Sequence, residues 1–253
     1  MSSAVRVLQV CEGLSEHQPV GVRELARLLD MPRSTVQRAL DTLFAAGWAV
    51  RSSEGVWSLS LRCAVVGARA GGLGSLRDAA RPAMARLQRI SDESVRLWMR
   101  EGDHVVLVES IDSRQPLRYV SPPPGSTLPL HASASGKAIL SRLPSSEVDE
   151  LLGQPLIAVT EHTLVDAAAL RRNLEMARAK GYAETYHEAR ADIGGVAAAV
   201  VDPEGRGFAA LSLALPMHRL TDEIVRRYGE QVVTEAAQLS AHLAGRVATT
   251  EAD

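Results

Sequence analysis

Hydrophobic positions recur along the first sixty residues at helical spacing and then begin to alternate. Val7, Leu8, Cys11 and Leu14 share one helical face. After an interruption at Pro19-Val20-Gly21, Val22, Leu25, Leu28 and Leu29 mark a second short helix. Asp30-Met31-Pro32 reads as a turn, because proline disfavours helix at the residue before it. The stretch from Met31 to Trp48 follows as a third helix, stopped near Gly47. On its wheel Ala39, Leu40, Leu43 and Phe44 fall within about 80° of Val36, which predicts one core stripe. Trp57, Leu59 and Leu61 then alternate with polar residues, and Ser53-Glu54-Gly55 supplies the turn of a small β-hairpin.

Residues 63–76 carry four glycines and read as a linker, either a helix that breaks at Gly71-Gly72 or a flexible joint. Beyond it the pattern predicts a mixed sheet with helices. Leu76 to Ser91 is amphipathic, with Pro82 expected early in the helix. Strand-like runs follow at SVRLWMR, HVVLVESI and LRYVS. HASASGKAIL begins a helix, and DAAALRRNLEMARAKGYA is another. Two buried strands joined by Asp202-Pro203-Glu204-Gly205 precede a last helix from about Thr221 to Gly245. The expected domains are therefore 1–62, a linker at 63–76, and 77–247.

The third helix poses a question, because the face opposite its core stripe lacks the usual long charges. It holds Ser34, Arg38, Asp41, Thr42 and Ala45, flanked by Thr35 and Gln37, with Arg33 at its start. Ser34 with Gln37 three residues later fits a capping box. A face so narrow and rich in donors fits the major groove of DNA, where N-terminal residues meet base edges and phosphates. Two short helices, a tight turn, this helix and a hairpin make a winged helix-turn-helix. Arg51 and Ser52 near the hairpin tip would touch phosphate. Arg33, Ser34, Thr35, Gln37, Arg38, Thr42 and Arg51 are the candidate contacts to double-stranded DNA.

Composition narrows the remainder. The chain has 253 residues and a formal net charge of -2, so attraction to nucleic acid must come from a local patch. All but two of the 28 basic residues, Lys137 and Lys180, are arginine. Cys11 and Cys63 make no metal-ligand or disulfide framework and read as small core residues in a reducing compartment. The N-terminus lacks a signal pattern, and no run of about 18 apolar residues occurs, so a cytoplasmic protein without membrane span, metal or cofactor is expected.

With these elements placed, the sequence resembles the IclR family of bacterial transcriptional regulators. The resemblance rests on VGVRELARLLDMPRSTVQRALDTLFAAGWAV, on LPLHASASGKAIL and on GGVAAAVVDPEGRGFAALSLALP, in family order and spacing. It implies an α+β chain, with the N-terminal winged helix-turn-helix followed by a GAF-like mixed α/β effector domain. It also implies homodimers or homotetramers on a roughly palindromic operator, repressor-type control, and a small-molecule effector, commonly an organic or aromatic acid.

The segment HASASGK independently suggests an anion site, since free N–H groups and the dipole at a helix start favour a carboxylate and Ser133 and Ser135 add hydroxyls. By resemblance, Ala134, Ser135, Gly195 and Ser212 align with effector-pocket positions, and Glu188 is a candidate beside them, although Tyr186-His187-Glu188 departs from the adjacent acidic residues that the family often carries there. Gly194-Gly195 and Ala214 imply a pocket roomier and less polar than one for a very small acid. Trp98 and Tyr119 line the pocket or belong to the core. Catalytic templates fail: a P-loop would need glycine at His131 and Ser or Thr at Ala138, a Ser-x-x-Lys nucleophile would need serine at Ala134, and a nucleophile elbow would need glycine at Ser133. A non-enzymatic, ligand-responsive regulator is the expectation. The alternatives are a second domain that only oligomerises, or a metabolic enzyme with a vestigial DNA-binding head.

Overall fold

The computed structural model describes residues 2–69 and 73–250. The glycine pair at 71 and 72 lies outside the described residues. The chain divides into two compact units, Met1–Gly74 and Ser75–Asp253.

In the first unit α1 (Ser3–His17), α2 (Val22–Leu28) and α3 (Arg33–Ala45) are followed by β1 (Ala49–Arg51), β2 (Trp57–Leu59) and α4 (Leu61–Arg69). β1 and β2 form an antiparallel hairpin whose turn is closed by Gly55 at φ 82°. Val10, Leu14, Leu25, Val36, Leu40, Leu43 and Trp57 make its core. Four apolar positions of the expected patterns are exposed: Leu8, Leu28, Phe44 and Leu61, the last of which begins α4 instead of extending the hairpin. Leu8 on α1 is 62% exposed, and the buried stripe runs through Val10 and Leu14 instead. Phe44 on α3 is 55% exposed, because at the edge of the stripe it reaches only the rim of Trp57, edge-on at 6.0 Å. The expected capping box does not form. The helix starts two residues earlier, with Pro32 as its N-cap and no side-chain cap bond, and Gln37 Nε2 donates forward to Asp41 at 2.8 Å.

The second unit is built on six strands in the order β5-β4-β3-β8-β7-β6. These are β3 (Ser94–Glu101), β4 (His104–Ile111), β5 (Thr127–Pro129), β6 (Ala183–Tyr186), β7 (Ile193–Val201) and β8 (Gly207–Pro216). Every pairing is antiparallel, so the expected mixed sheet is corrected. LRYVS is not a strand. Its backbone is held by side chains instead of a ladder, with Ser94 Oγ donating to Tyr119 O and Ser121 N donating to Asp112 Oδ1.

Both faces of this sheet are covered. On one lie α5 (Leu73–Ser91) and α9 (Asp222–Thr250), whose Met84, Leu87, Tyr228 and Val232 pack on Val95, Leu97, Val196, Leu211 and Leu213. Pro82 falls inside α5 instead of near its start; it lies on the exposed side. On the other face lie α6 (Ala134–Leu140) and α8 (Ala167–Lys180), with α7 (Ser145–Leu152) beside them. Strand side chains alternate between faces, so Arg96, Trp98, Gly195, Ala197, Ala210 and Ser212 share the α6 side. All seven residues of α6 are buried. Its approach depends on glycine: a Cβ at Gly136 would stand 2.1 Å from the backbone O of Leu130, and one at Gly207 would stand 2.8 Å from Ile139 O.

Candidate functional site: a DNA-reading helix and a buried polar pocket

In the first unit α3 presents Arg33, Ser34, Arg38 and Thr42 as exposed residues, with Thr35 and Gln37 partly exposed beside them. Thr42 Oγ1 donates back to Arg38 O at 2.8 Å, which keeps this hydroxyl close to the helix. No side chain caps its start; Thr35 N donates to Pro32 O at 2.8 Å, and the N–H groups of Arg33 and Ser34 stay open. Such a terminus suits phosphate, and the exposed polar row suits base edges. On the hairpin Arg51 is exposed, and its guanidinium rests over the Trp57 ring at 5.5 Å, which limits the orientations it samples.

In the second unit a cavity of about 50 Å³ is lined by Arg96, Trp98, Ser133, Ala134, Ser135, Thr185, Gly195 and Ser212 among others. Five sequence candidates meet here: Ser133, Ala134, Ser135, Gly195 and Ser212. The Ser133 hydroxyl caps α6 by accepting from Gly136 N at 3.0 Å. The hydroxyls of Ser135, Thr185 and Ser212 have no hydrogen-bond partner among the described residues, although all three residues are buried. The expected roominess is corrected: the space at Gly194 is filled, since a Cβ there would meet Leu220 Cδ2 at 2.2 Å and Met217 Sδ at 2.9 Å. The cavity is several-fold smaller than the roughly 300–1,000 Å³ of sites for drug-sized ligands.

Glu188 does not line the cavity. Its two carboxylate oxygens accept from Lys137 Nζ at 2.6 and 2.7 Å, and this ammonium is fully buried. Burial pushes the Lys137 ammonium below its ordinary pKa, and Glu188 opposes that shift. Leu164 N also donates to this carboxylate, while the hydroxyls of Thr160 and Thr163 donate to Glu188 O. Glu188 therefore pins the segment around residues 160–164 onto α6.

Arg96 was missed by sequence reading. It is 6% exposed, its Nε donates to Ser121 Oγ at 3.1 Å, and its guanidinium lies 4.3 Å from the Tyr119 ring centroid. Its Nη2 is buried without an acceptor. Burial lowers its pKa to about 10, partly opposed by Tyr119 and Asp112 and assisted by Arg190, so the group is still a cation at neutral pH. The available signal was an arginine inside SVRLWMR, a strand apolar enough to be buried on both faces. Tyr119 serves this arginine and sits outside the cavity lining, whereas Trp98 does line it.

No helix among the described residues is long and apolar enough to cross a membrane, and none of their His, Cys, Asp or Glu clusters has the makings of a metal site. Residues 3–53 match the IclR helix-turn-helix domain, and residues 74–241 match the bacterial transcriptional regulator IclR C-terminal family. The chain is 35% identical over 224 residues to the HTH-type transcriptional repressor AllR of Klebsiella pneumoniae, covering 88% of this chain and 82% of that protein. It is 31% identical over 245 residues to the HTH-type transcriptional regulator KdgR of Escherichia coli, covering 96% and 93%. The fold matches the crystal structure of an IclR homolog of Microbacterium hydrocarbonoxydans complexed with 4-hydroxybenzoate, with a TM-score of 0.76, 27% identity and coverage of 94% and 100%. A helix-turn-helix with an open polar face, an antiparallel sheet beside a small cavity and matches over both units lead to one assignment: the chain belongs to the IclR family of bacterial transcriptional regulators.

Proposed function

We propose that this regulator binds its operator through α3 and the β1–β2 wing, and that a small organic acid in the cavity of the second unit alters that binding. Arg33, Ser34, Thr35, Gln37, Arg38 and Thr42 enter the major groove, and Arg51 contacts phosphate. A homodimer, alone or paired into a tetramer, presents two such helices to successive major grooves of a roughly palindromic site. The observation that carries the ligand reading is the cavity itself, where the unpaired hydroxyls of Ser135, Thr185 and Ser212 converge beside a buried guanidinium. The complex of the Microbacterium homolog with 4-hydroxybenzoate supports an acid as the ligand class. The effector acts by binding one DNA-binding state better than the other, and shifts operator affinity by no more than that difference. No turnover is required of it.

The test has two steps. Genomic fragments are selected on the full chain to give an operator, and operator affinity is then measured against a library of acidic, neutral and cationic metabolites. Binding of one compound with a matching rise in thermal stability and a shifted operator affinity is expected. Selective operator binding that no compound changes would favour a second unit that serves oligomerisation only.

A further inference from the structure

Arg96 makes an energetic demand that the chain alone does not meet. A guanidinium is a permanent cation with five N–H donors, and burying one without an acceptor on each face is costly. Two half-buried arginines of this unit, Arg219 and Arg86, are matched. Arg219 makes two hydrogen bonds to Glu93, at 2.7 and 2.8 Å, and Arg86 makes three to Glu235. Arg96 differs from them. Among the described residues no carboxylate lies within ion-pairing distance, its one hydrogen bond is to the neutral Ser121 hydroxyl, and Nη2 has none. A second guanidinium, that of Arg190, approaches the same Tyr119 ring at 5.0 Å. Arg190 is paired with Asp192 at 3.5 Å, so the unmatched positive potential at the cavity is that of Arg96.

The cavity gives that potential a direction. Arg96 and Ser212 are register partners on neighbouring strands, and both line it. Trp98, Leu128 and Ile193 supply apolar walls. Planar N–H pairs suit a carboxylate because two parallel bonds form at once. We infer that Arg96 is the counter-ion of the effector, making the site selective for a small carboxylate over its neutral isostere. This rests on the effector reading of the cavity and adds to it the residue that sets the charge of the ligand.

The experiment uses the full chain and four pairs of probes: acetate, pyruvate, succinate and benzoate, each against its amide. Thermal shift at about 10 mM ligand and titration calorimetry give the affinities. At least one acid is expected to bind and its amide to bind far more weakly. Arg96→Gln is expected to weaken that acid by about 10- to 100-fold while leaving the amide unchanged. Arg96→Lys keeps a cation in the space and retains the preference for acid. Arg96→Met replaces Arg96→Gln should the glutamine variant fold poorly. Without ligand neither neutral variant is expected to melt lower than wild type, since each removes a buried charge with no carboxylate partner. A large fall in melting temperature instead would assign Arg96 a structural role and overturn the inference. Equal binding of acid and amide, or equal acid affinity in wild type and Arg96→Gln, would also overturn it. If no acid binds but neutral or cationic metabolites shift operator affinity, this inference fails together with the acid as ligand class, and only control by a small molecule stands. If no compound of any class does so, both fail.

Discussion

Replacing Glu188 by glutamine perturbs the most deeply buried charge pair of the second unit. The Lys137 side chain is 0% exposed and its ammonium sits 2.6 and 2.7 Å from the two Glu188 oxygens. The amide keeps the volume and removes the counter-charge. Breaking a buried pair from one side costs about 3–5 kcal/mol, because the remaining charge stays in a poorly polarisable interior. Against a total stability of about 5–15 kcal/mol this is a large fraction. At about 2–4 °C per kcal/mol for a unit of this size, the melting temperature should fall by roughly 6–20 °C. Calorimetric unfolding of the full chain at fixed protein concentration reads the loss, since association would otherwise shift the transition. The pH dependence supplies an independent check. Burial already depresses Lys137 in the folded state, and loss of Glu188 depresses it further. For a base lowered on folding, the cost is complete below the folded pKa. It is relieved as pH rises through that value toward the unfolded one near about 10.4. The Glu188→Gln deficit should therefore shrink as pH rises toward the unfolded value. Adding Lys137→Met should recover much of it at pH 7. A deficit below about 1 kcal/mol that stays flat with pH would refute the claim that this pair is desolvated.

Three further outcomes follow from particular contacts. Arg38→Ala should weaken operator binding: if Arg38 meets phosphate the log–log salt slope falls by about 1, whereas if it meets a base the sequence preference relaxes, so unchanged affinity and slope would contradict the placement of α3 in the groove. Gly136→Ala should cost upwards of about 1–3 kcal/mol in thermal unfolding, because the new Cβ meets backbone atoms of Leu130 at 2.1–2.6 Å and backbone gives way less readily than a side chain. Arg219→Ala should destabilise by about 3–5 kcal/mol, since Glu93, whose side chain is 3% exposed, would be left buried without its cation, and a double Arg219→Ala/Glu93→Ala variant should lose less than the single one.

Periodicity reveals elements whose burial is one-sided and hides those buried all round. α1 to α3 and the hairpin were legible because each buries one face, and β7 and β8 because their length and the Asp202–Gly205 turn are distinctive. β5 and β6 are three and four residues long and take their identity from pairing partners, His104–Val106 and Gly194–Ala197, that local sequence does not name. LRYVS has the composition of a strand and lacks a neighbour to pair with, so its backbone groups are met by Ser94 and Asp112 side chains. In the cavity, the residues of α6 and the closing strands were legible from their motifs. Glu188 was placed there by proximity in sequence to the closing strands, and its partner Lys137, 51 positions earlier, is a tertiary fact.

The position of polar residues within buried elements carries the functional argument further than any motif. A helix buried on every side should be apolar throughout, yet α6 and its cap contain Ser133, Ser135 and Lys137. Two of the three are answered inside the protein: Ser133 caps the helix, and Lys137 holds Glu188. The hydroxyls of Ser135, Thr185 and Ser212 are not answered by any described residue, nor is the buried Nη2 of Arg96, and all four residues line the same cavity. A folded chain with a few kcal/mol of net stability rarely leaves four such groups converging without a compensating gain. Structural polar groups such as Lys137 come in matched sets, whereas here three hydroxyls, able to donate or accept, stand beside one donor-only cation, and that cation sets the sign. The complement of that set is an anion with acceptor oxygens, and the chemistry of the missing partner is thus written in what its neighbours lack.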